Sequence, residues 1–399
     1  MRVVCTCLPG YGHFIPIAPL ATALAGGGHE VVIATAADFC PQIERAGFDT
    51  FPAGLSLEAQ LERANASIPE SALPPGKERF TSFVPRMLAG VAAPPRAADL
   101  AELLRMWQPD LLLHDETELG GPVAAAAAGI PWAGHSVGIL RPLSMLRLAG
   151  ETLAPLAAEW AVDVGAFAGL FRYLYLDVCP PGLQSGEITD IEVAHPLRGV
   201  DLDAPAGPAD AAQPPPWLDH LDPVRPTVYL SLGTIFNSDP GIFRTILASL
   251  ADEPITVIVT LGPDADPAVL SPQPDNVHVA GFIPQDLLLP HCDAVINQGG
   301  TAILSILAHG LPLLVLPRGA NQFHNAEACV DAGVGRVLLP DEVDPAAVHR
   351  EVRLLLDEPG YRERAGQIAG QIAEMPDPKH GVTLLERLAR EAAPMVRSR

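Results

Sequence analysis

A histidine stands directly behind a glycine turn near the start of the chain, in Leu8-Pro9-Gly10-Tyr11-Gly12-His13-Phe14-Ile15-Pro16. Histidine side chains ordinarily titrate near neutral pH, so His13 can take a proton from a hydroxyl as a general base. The residues around it predict how it is held. An apolar strand over residues 3–8 runs into the glycine turn, and a helix over 15–24 follows, with Pro16 tolerated in its first turn. This is the first βα junction of a parallel α/β sheet, a place where such folds bind ligands. Two plainer readings compete: His13 as a helix-cap residue without chemistry, and the junction as an ordinary dinucleotide site. The second is weakened because G-Y-G-H-F-I lacks the third glycine of G-x-G-x-x-G.

The elements repeat along the chain. Strands are predicted at 30–34, 110–114 and 131–135, and helices at 39–46, 99–107 and 120–128, several of them stopped by a glycine. Residues 52–95 break the pattern and read as a mobile helix-and-loop insert. Residues 136–180, rich in Leu, Ala, Phe, Tyr and Trp, read either as core helices or as the lining of an apolar pocket. A proline-dense linker at 205–226 separates this half from a second one. There, strands are predicted at 227–232, 255–261, 277–280, 294–296 and 313–316, and helices at 325–331, 345–357, 359–374 and 381–395. The expected fold class is α/β, with two Rossmann-like parallel-sheet domains facing across a cleft. The expected domains are 1–204, 227–380 and a C-terminal helix, 381–399, packing back on the first domain.

Composition narrows the partners. The chain has 399 residues, enough for two domains, and 48% hydrophobic residues, enough for two cores. Its formal net charge is −22, from 25 Lys+Arg against 47 Asp+Glu. Such a surface repels phosphodiester backbones and anionic lipid, so neither nucleic acid nor a membrane surface is an expected partner. An anionic small ligand would need local backbone amides and helix ends. The six cysteines form no C-x-x-C pair, which argues against a disulfide framework or a zinc site. No signal peptide or membrane span is evident, so a cytoplasmic location is expected.

The second half carries an ordered series of motifs. These are Gly281-Phe282-Ile283-Pro284-Gln285, Ile296-Asn297-Gln298-Gly299-Gly300-Thr301, Gly310-Leu311-Pro312 and Pro317-Arg318-Gly319-Ala320-Asn321-Gln322-Phe323-His324-Asn325-Ala326. The series resembles the nucleotide-sugar signature of inverting glycosyltransferases that modify small natural products. That is the bacterial macrolide and antibiotic branch of the UDP-glycosyltransferase superfamily, with the two-Rossmann GT-B fold. The opening residues 9–21, Pro109-Asp-Leu-Leu-Leu-His-Asp115 and Leu176-Asp-Val-Cys-Pro-Pro-Gly-Leu183 resemble the same family, so the likeness covers nearly the whole chain.

The resemblance implies roles. His13 becomes the general base and Asp115 the carboxylate that stabilises its imidazolium, with Glu116 as a substitute for Asp115 and His114 a mere strand residue. Gly12, Ser231, Gly233, Thr234, Gln298, Gly299, Gly300 and Thr301 fall to the donor's diphosphate and nearby sugar. Phe282 stacks on the base, the Ile283 backbone pairs with its edge, and Gln285 adds a polar contact to the nucleoside. Asn321 and Gln322 stand for the family's Asp-Gln pair on sugar hydroxyls, since an amide both donates and accepts. The implied reaction is inverting and metal-independent, with no cofactor beyond the nucleoside diphosphate sugar, and with a small lipophilic acceptor; a homodimer is compatible with it.

Departures from the pattern matter equally. The family's His-Gly-Gly-x-Gly-Thr is replaced by Asn297-Gln298-Gly299-Gly300-Thr301-Ala302, and either Asn297 or Gln298 stands near the missing histidine. The ribose glutamate of the plant branch is absent from the region of Ser305 and Ile306. Asn321 in place of aspartate points to a donor with fewer hydroxyls, a deoxyhexose on dTDP rather than glucose on UDP. The alternatives are a degenerate helper or binding protein of the same fold, for which the altered phosphate motif speaks, and a nucleotide-sugar epimerase.

Overall fold

A computed structural model describes residues 1–74, 77–200, 215–233, 240–262 and 265–397. They fall into two compact units. One comprises Met1–Cys179, Gln184–Gly199 and Met375–Arg399; the other comprises Pro180–Leu183 and Val200–Glu374. The C-terminal helix Pro378–Glu391 thus belongs to the first unit. There Gly381 lies so close to Leu20 and Leu197 that a Cβ would sit about 3 Å from their methyl carbons. The chain's return begins at Met375, earlier than the expected 381.

The first unit holds seven parallel strands: β1 (Arg2–Thr6), β2 (Glu30–Thr35), β3 (Asp49–Pro52), β4 (Leu111–Asp115), β5 (Trp132–His135), β6 (Leu174–Asp177) and β7 (Ala194–Pro196). Their order is β3-β2-β1-β4-β5-β6-β7. The second unit holds six: β8 (Thr227–Ser231), β9 (Thr256–Thr260), β10 (Val277–Ala280), β11 (Ala294–Asn297), β12 (Leu313–Val315) and β13 (Gly335–Val337), in the order β10-β9-β8-β11-β12-β13. These are the two parallel α/β sheets of the expected fold class. Each central strand reads as a continuous apolar run because helices cover both of its faces. The order reverses between β1 and β4 in one sheet and between β8 and β11 in the other, and crevices at such switch points bind ligands.

Several elements depart from expectation, each for a physical reason. The single helix expected over 15–24 is two, Tyr11–Phe14 and Ala18–Gly26. Pro16 has no N–H to donate, so the hydrogen-bond ladder breaks there, and His13 lies inside the first turn rather than ahead of the helix. The loose stretch 52–95 is mainly helical: Leu57–Ser67, Lys77–Arg86, a π-helical turn Met87–Ala92 and Ala93–Trp107. Its prolines suggested loop, but Met87, Leu88, Ala89, Ala93 and Ala97 are buried in the core, and packing overrides propensity there. Of the expected linker, 215–226 is described and is partly folded: Leu218–His220 is a 3₁₀ turn and Trp217 stacks on His278 at 4.5 Å. Strands β3, β6, β7 and β13 were not anticipated; all are only three or four residues long.

Among the described residues no helix is long and apolar enough to cross a membrane. Also among them, no group of three or more His, Cys, Asp or Glu is placed to hold a metal ion. All six cysteines are buried free thiols.

Candidate active site

Asp115 is the last residue of β4 and fully buried, and it faces the turn that follows β1. Its Oδ2 accepts the Leu8 N–H at 2.8 Å and lies 3.3 Å from His13 Nδ1. Its Oδ1 accepts the Thr117 N–H at 2.6 Å and the Thr117 hydroxyl. Burial alone drives this carboxyl up. The His13 imidazole and the hydrogen bonds from His13, Thr117 and Leu8 outweigh it and hold Asp115 well below the usual carboxylate range. It is therefore an anion at any physiological pH, and acceptor only.

That fixes the protons. The one hydroxyl hydrogen of Thr117 goes to Asp115, so Thr117 Oγ1, 3.1 Å from His13 Nδ1, can only accept. Nδ1 then carries its hydrogen toward Thr117 and Asp115 together. Nε2 keeps its lone pair and has no protein partner among the described residues. The imidazole is 27% exposed, enough for a substrate hydroxyl to reach it. Gly12 precedes it in the same turn. Thr117 escaped the sequence reading; a hydroxyl two residues beyond a strand-end aspartate is the signal for such a side-chain-to-backbone turn.

Glu116 does not substitute for Asp115. It is buried with Oε1 on the Arg141 guanidinium and Oε2 accepting the Tyr175 hydroxyl at 2.7 Å. Burial pushes its carboxyl up, while Arg141 and Tyr175 oppose that. His114 is buried within β4, its Nδ1 on the Glu118 carbonyl at 2.9 Å, and burial lowers its pKa. Glu116, Thr117 and Arg141 line a small cavity with Leu88, Met145 and Phe167. Of the segment 136–180, then, some residues line a cavity, while Leu153, Leu174 and Leu176 are core.

In the second unit the segment after β11 turns at the switch point. Asn297 Oδ1 accepts the Gly299 N–H at 2.9 Å, closing an Asx turn. Gly299 takes φ +82°, and a Cβ there would meet Val315 at 2.7 Å, so only glycine fits. The Gly299 carbonyl accepts Asn325 Nδ2 at 2.8 Å. The N–H groups of Gly300 and Thr301 have no backbone acceptor among the described residues. The expected helix begins only at Ile303 and ends at Ala308, because Thr301 and Ala302 form a turn ahead of it.

Gln298 reaches back over the end of β8. A Cβ on Gly233 would lie 2.0 Å from Gln298 Nε2, so the glycine is what lets this amide in. Among the described residues, Gln298 Oε1, Asn297 Nδ2 and Asn325 Oδ1 are buried without a hydrogen-bond partner. Ser231, Gln285 and Thr260 surround the buried Tyr229 hydroxyl. Phe282 is 43% exposed and Ile283 is buried beside it. Asn321 precedes the helix Gln322–Asp331 and makes no side-chain capping bond. Gln322 departs from its expected role: its Oε1 accepts the N–H groups of Arg318 (2.7 Å) and Gly319 (3.0 Å), so its accepting half holds its own loop. Thr234 lies outside the described residues.

The chain matches two family models, the C-terminal domain of "Erythromycin biosynthesis protein CIII-like" over residues 244–388 and its N-terminal domain over 22–233. It is 33% identical to the L-demethylnoviosyl transferase of Streptomyces niveus, with 99% of each chain covered. It is 29% identical to the aclacinomycin-T 2-deoxy-L-fucose transferase of Streptomyces galilaeus, covering 98% of this chain and 97% of that one. Among solved structures it is similar to the glycosyltransferase SsfS6 of Streptomyces sp. SF2575, complexed with thymidine diphosphate. There the TM-score is 0.80 and the identity 26%, covering 97% of this chain and 99% of that one.

Proposed function

The chain belongs to the erythromycin biosynthesis protein CIII-like family and is a glycosyltransferase of natural-product type; from that premise we propose that it moves a deoxyhexose from dTDP to a hydroxyl of a small lipophilic aglycone, with inversion and with His13 as the base. The acceptor hydroxyl gives its proton to His13 Nε2. Its oxygen bonds to the anomeric carbon as the bond from that carbon to the diphosphate oxygen breaks, and dTDP leaves with the electron pair. Asp115 stabilises the imidazolium that forms.

The donor falls to the second unit. The N–H groups of Gly300 and Thr301 and the Nε2 of Gln298 can donate to the diphosphate, which gains charge as it leaves. Gly233 flanks the same position, and Thr234 follows it in the sequence. Half-exposed Phe282 suits stacking on thymine, with the Ile283 backbone at the base edge and Gln285 and Ser231 nearby. Asn321 and the Nε2 of Gln322 are left for sugar hydroxyls, and with neither a carboxylate nor Gln322 Oε1 to accept, a sugar with fewer hydroxyls fits better. Thymidine diphosphate in the similar SsfS6 and 2-deoxy-L-fucose in the name of a relative support the same donor class.

The observation that carries the reading is the His13–Asp115–Thr117 network, which leaves one imidazole nitrogen free to accept a proton. The test is incubation with pooled sugar nucleotides and candidate aglycones, reading product masses. Products carrying a deoxyhexose from dTDP support the proposal; a clear preference for UDP-glucose removes its donor half, and no product over a broad panel removes all of it.

A further inference from the structure

The cavity beside Thr117 is apolar except at one end. Leu88, Met145, Leu146 and Phe167 form its walls, and Arg141 with Glu116 closes it. Its free volume is about 20 Å³, room for one water-sized group. The Arg141 side chain is only 10% exposed. One guanidinium nitrogen is committed to Glu116 Oε1. The other N–H groups have no protein partner among the described residues, and both Glu116 oxygens are already occupied.

The spare guanidinium N–H groups are not among the fully buried unpartnered atoms, so they keep some access to solvent, and at the end of an apolar cavity they are donors that a ligand's acceptor atom can take over from water. The cavity has no side-chain oxygen left to fill that role. It also shares Thr117 with His13, so a group lodged there sits beside the residue that orients the base. We propose that Arg141 is a specificity-determining residue that binds a carboxylate or carbonyl oxygen on the acceptor, a second oxygen besides the hydroxyl that is glycosylated. The inference rests on the first unit being the acceptor-binding half. The ligand class is an apolar ring system with a hydroxyl at one position and an oxygen-bearing substituent at another. A charge-assisted hydrogen bond in such surroundings is strong, and an analogue lacking the oxygen leaves the guanidinium unpaired. Glu116 and Tyr175 are the positioning residues: they fix one edge of the guanidinium and so aim the other.

Direct binding tests this without relying on transfer. The probes are 6-hydroxy-2-naphthoate and 2-naphthol, which share a ring and a hydroxyl and differ in the carboxylate; their intrinsic fluorescence reports Kd. The wild type is expected to bind the naphthoate at least tenfold more tightly, and Arg141→Met to lose that preference while still binding 2-naphthol. Because Arg141→Met alone strands Glu116, the double variant Glu116→Gln/Arg141→Met is measured beside it, with circular dichroism as the check on folding. Equal affinities in the wild type, or a preference that survives in the folded double variant, would overturn the inference. A binding preference that vanishes with Arg141 while no sugar is ever transferred sinks the proposed reaction instead and leaves this site standing.

Discussion

The two switch points are built in opposite ways. Beside β1 and β4, two backbone N–H groups, a hydroxyl and an imidazole converge on the two oxygens of the Asp115 carboxylate, while Thr6 Oγ1 and His114 Nε2 are buried without a partner among the described residues. Beside β8 and β11, among the described residues, the amides of Asn297, Gln298 and Asn325 each keep an unpartnered buried atom, and two backbone N–H groups lack backbone acceptors. The bonds onto the carboxylate hold His13 by Nδ1 and leave its Nε2 for chemistry. The second switch point leaves a donor, Asn297 Nδ2, two acceptors, Gln298 Oε1 and Asn325 Oδ1, and two backbone N–H groups without partners among the described residues. A reacting group must be oriented before the substrate arrives, whereas a binding loop can gain its hydrogen bonds from the ligand.

The comparison breaks most sharply at His13. His13→Ala should lower kcat by roughly 10²–10⁴-fold, the usual worth of a positioned base. The Kd for dTDP should stay within about twofold, because no donor-binding group changes. Steady-state kinetics and calorimetry on the same preparation decide it; a Kd that weakens along with kcat would mean that the two switch points do not divide the labour as argued.

A second buried carboxylate sharpens what the network does for Asp115. Asp177 ends β6, where among the described residues its carboxylate accepts the Cys179 N–H (3.1 Å) and the Gln184 amide (2.7 Å). Burial pushes it up to about 7, against those two bonds. The signs of the two carboxyls are opposite. Asp115, held low, stabilises the fold above the unfolded pKa, and that contribution is lost as the pH falls through the acid range. Asp177, held high, keeps a proton between about pH 4 and 7 that the unfolded chain releases, so its contribution falls as pH rises through that window. Asp177→Asn should flatten the fall by up to about 4 kcal/mol between pH 4 and 8. Urea unfolding of both proteins at several pH values reads it; identical slopes would show that Asp177 is not held protonated.

The strand–helix alternation, the glycine stops and the βα junction at His13 were legible because hydrophobic runs and glycines act locally. The switch points at β1/β4 and β8/β11 were not legible, because strand order is set by packing between elements distant in sequence. What was not legible depends on partners far apart in sequence. Thr117 matters only because Asp115 and His13, 102 positions apart, meet over it. Arg141 reads as a surface arginine until Glu116 and Tyr175 close around it. The helices of 52–95 were hidden by prolines whose cost is outweighed by burial of Met87, Leu88 and Ala93. Asn297 and Gln298 were indistinguishable as residues; the Asx turn commits the first to its own backbone and leaves the second over Gly233.

Thr117 tests whether the full set of bonds onto the Asp115 carboxylate is needed or merely tidy. Thr117→Val keeps shape and β-branching but removes the oxygen that accepts from His13 Nδ1 and the proton given to Asp115. Asp115 still faces the ring at 3.3 Å, so part of the orientation survives. Loss of one hydrogen bond to an ionised partner, about 1.5 kcal/mol, corresponds to roughly a tenfold fall in kcat. KM for the acceptor should hardly move, and Thr117→Ser should restore most of the rate. A fall in KM and kcat together, unrescued by serine, would make Thr117 a packing residue.

The smallest effect belongs to the open network. Gln298 is the amide placed over Gly233, and its Oε1 has no partner among the described residues. If the second switch point is a ligand-completed set, removing one member costs one neutral hydrogen bond out of several. Gln298→Ala should therefore weaken dTDP by about two- to tenfold and leave kcat at saturating donor nearly unchanged. The idle amides are close together, so their contributions need not add; Asn297→Ala, which opens the Asx turn holding Gly299, should weaken dTDP more than Gln298→Ala. The reverse ranking would mean that the backbone turn, with its two free N–H groups, holds its shape without Asn297. The side-chain amide would then be the principal contact to the diphosphate, standing in the histidine's place.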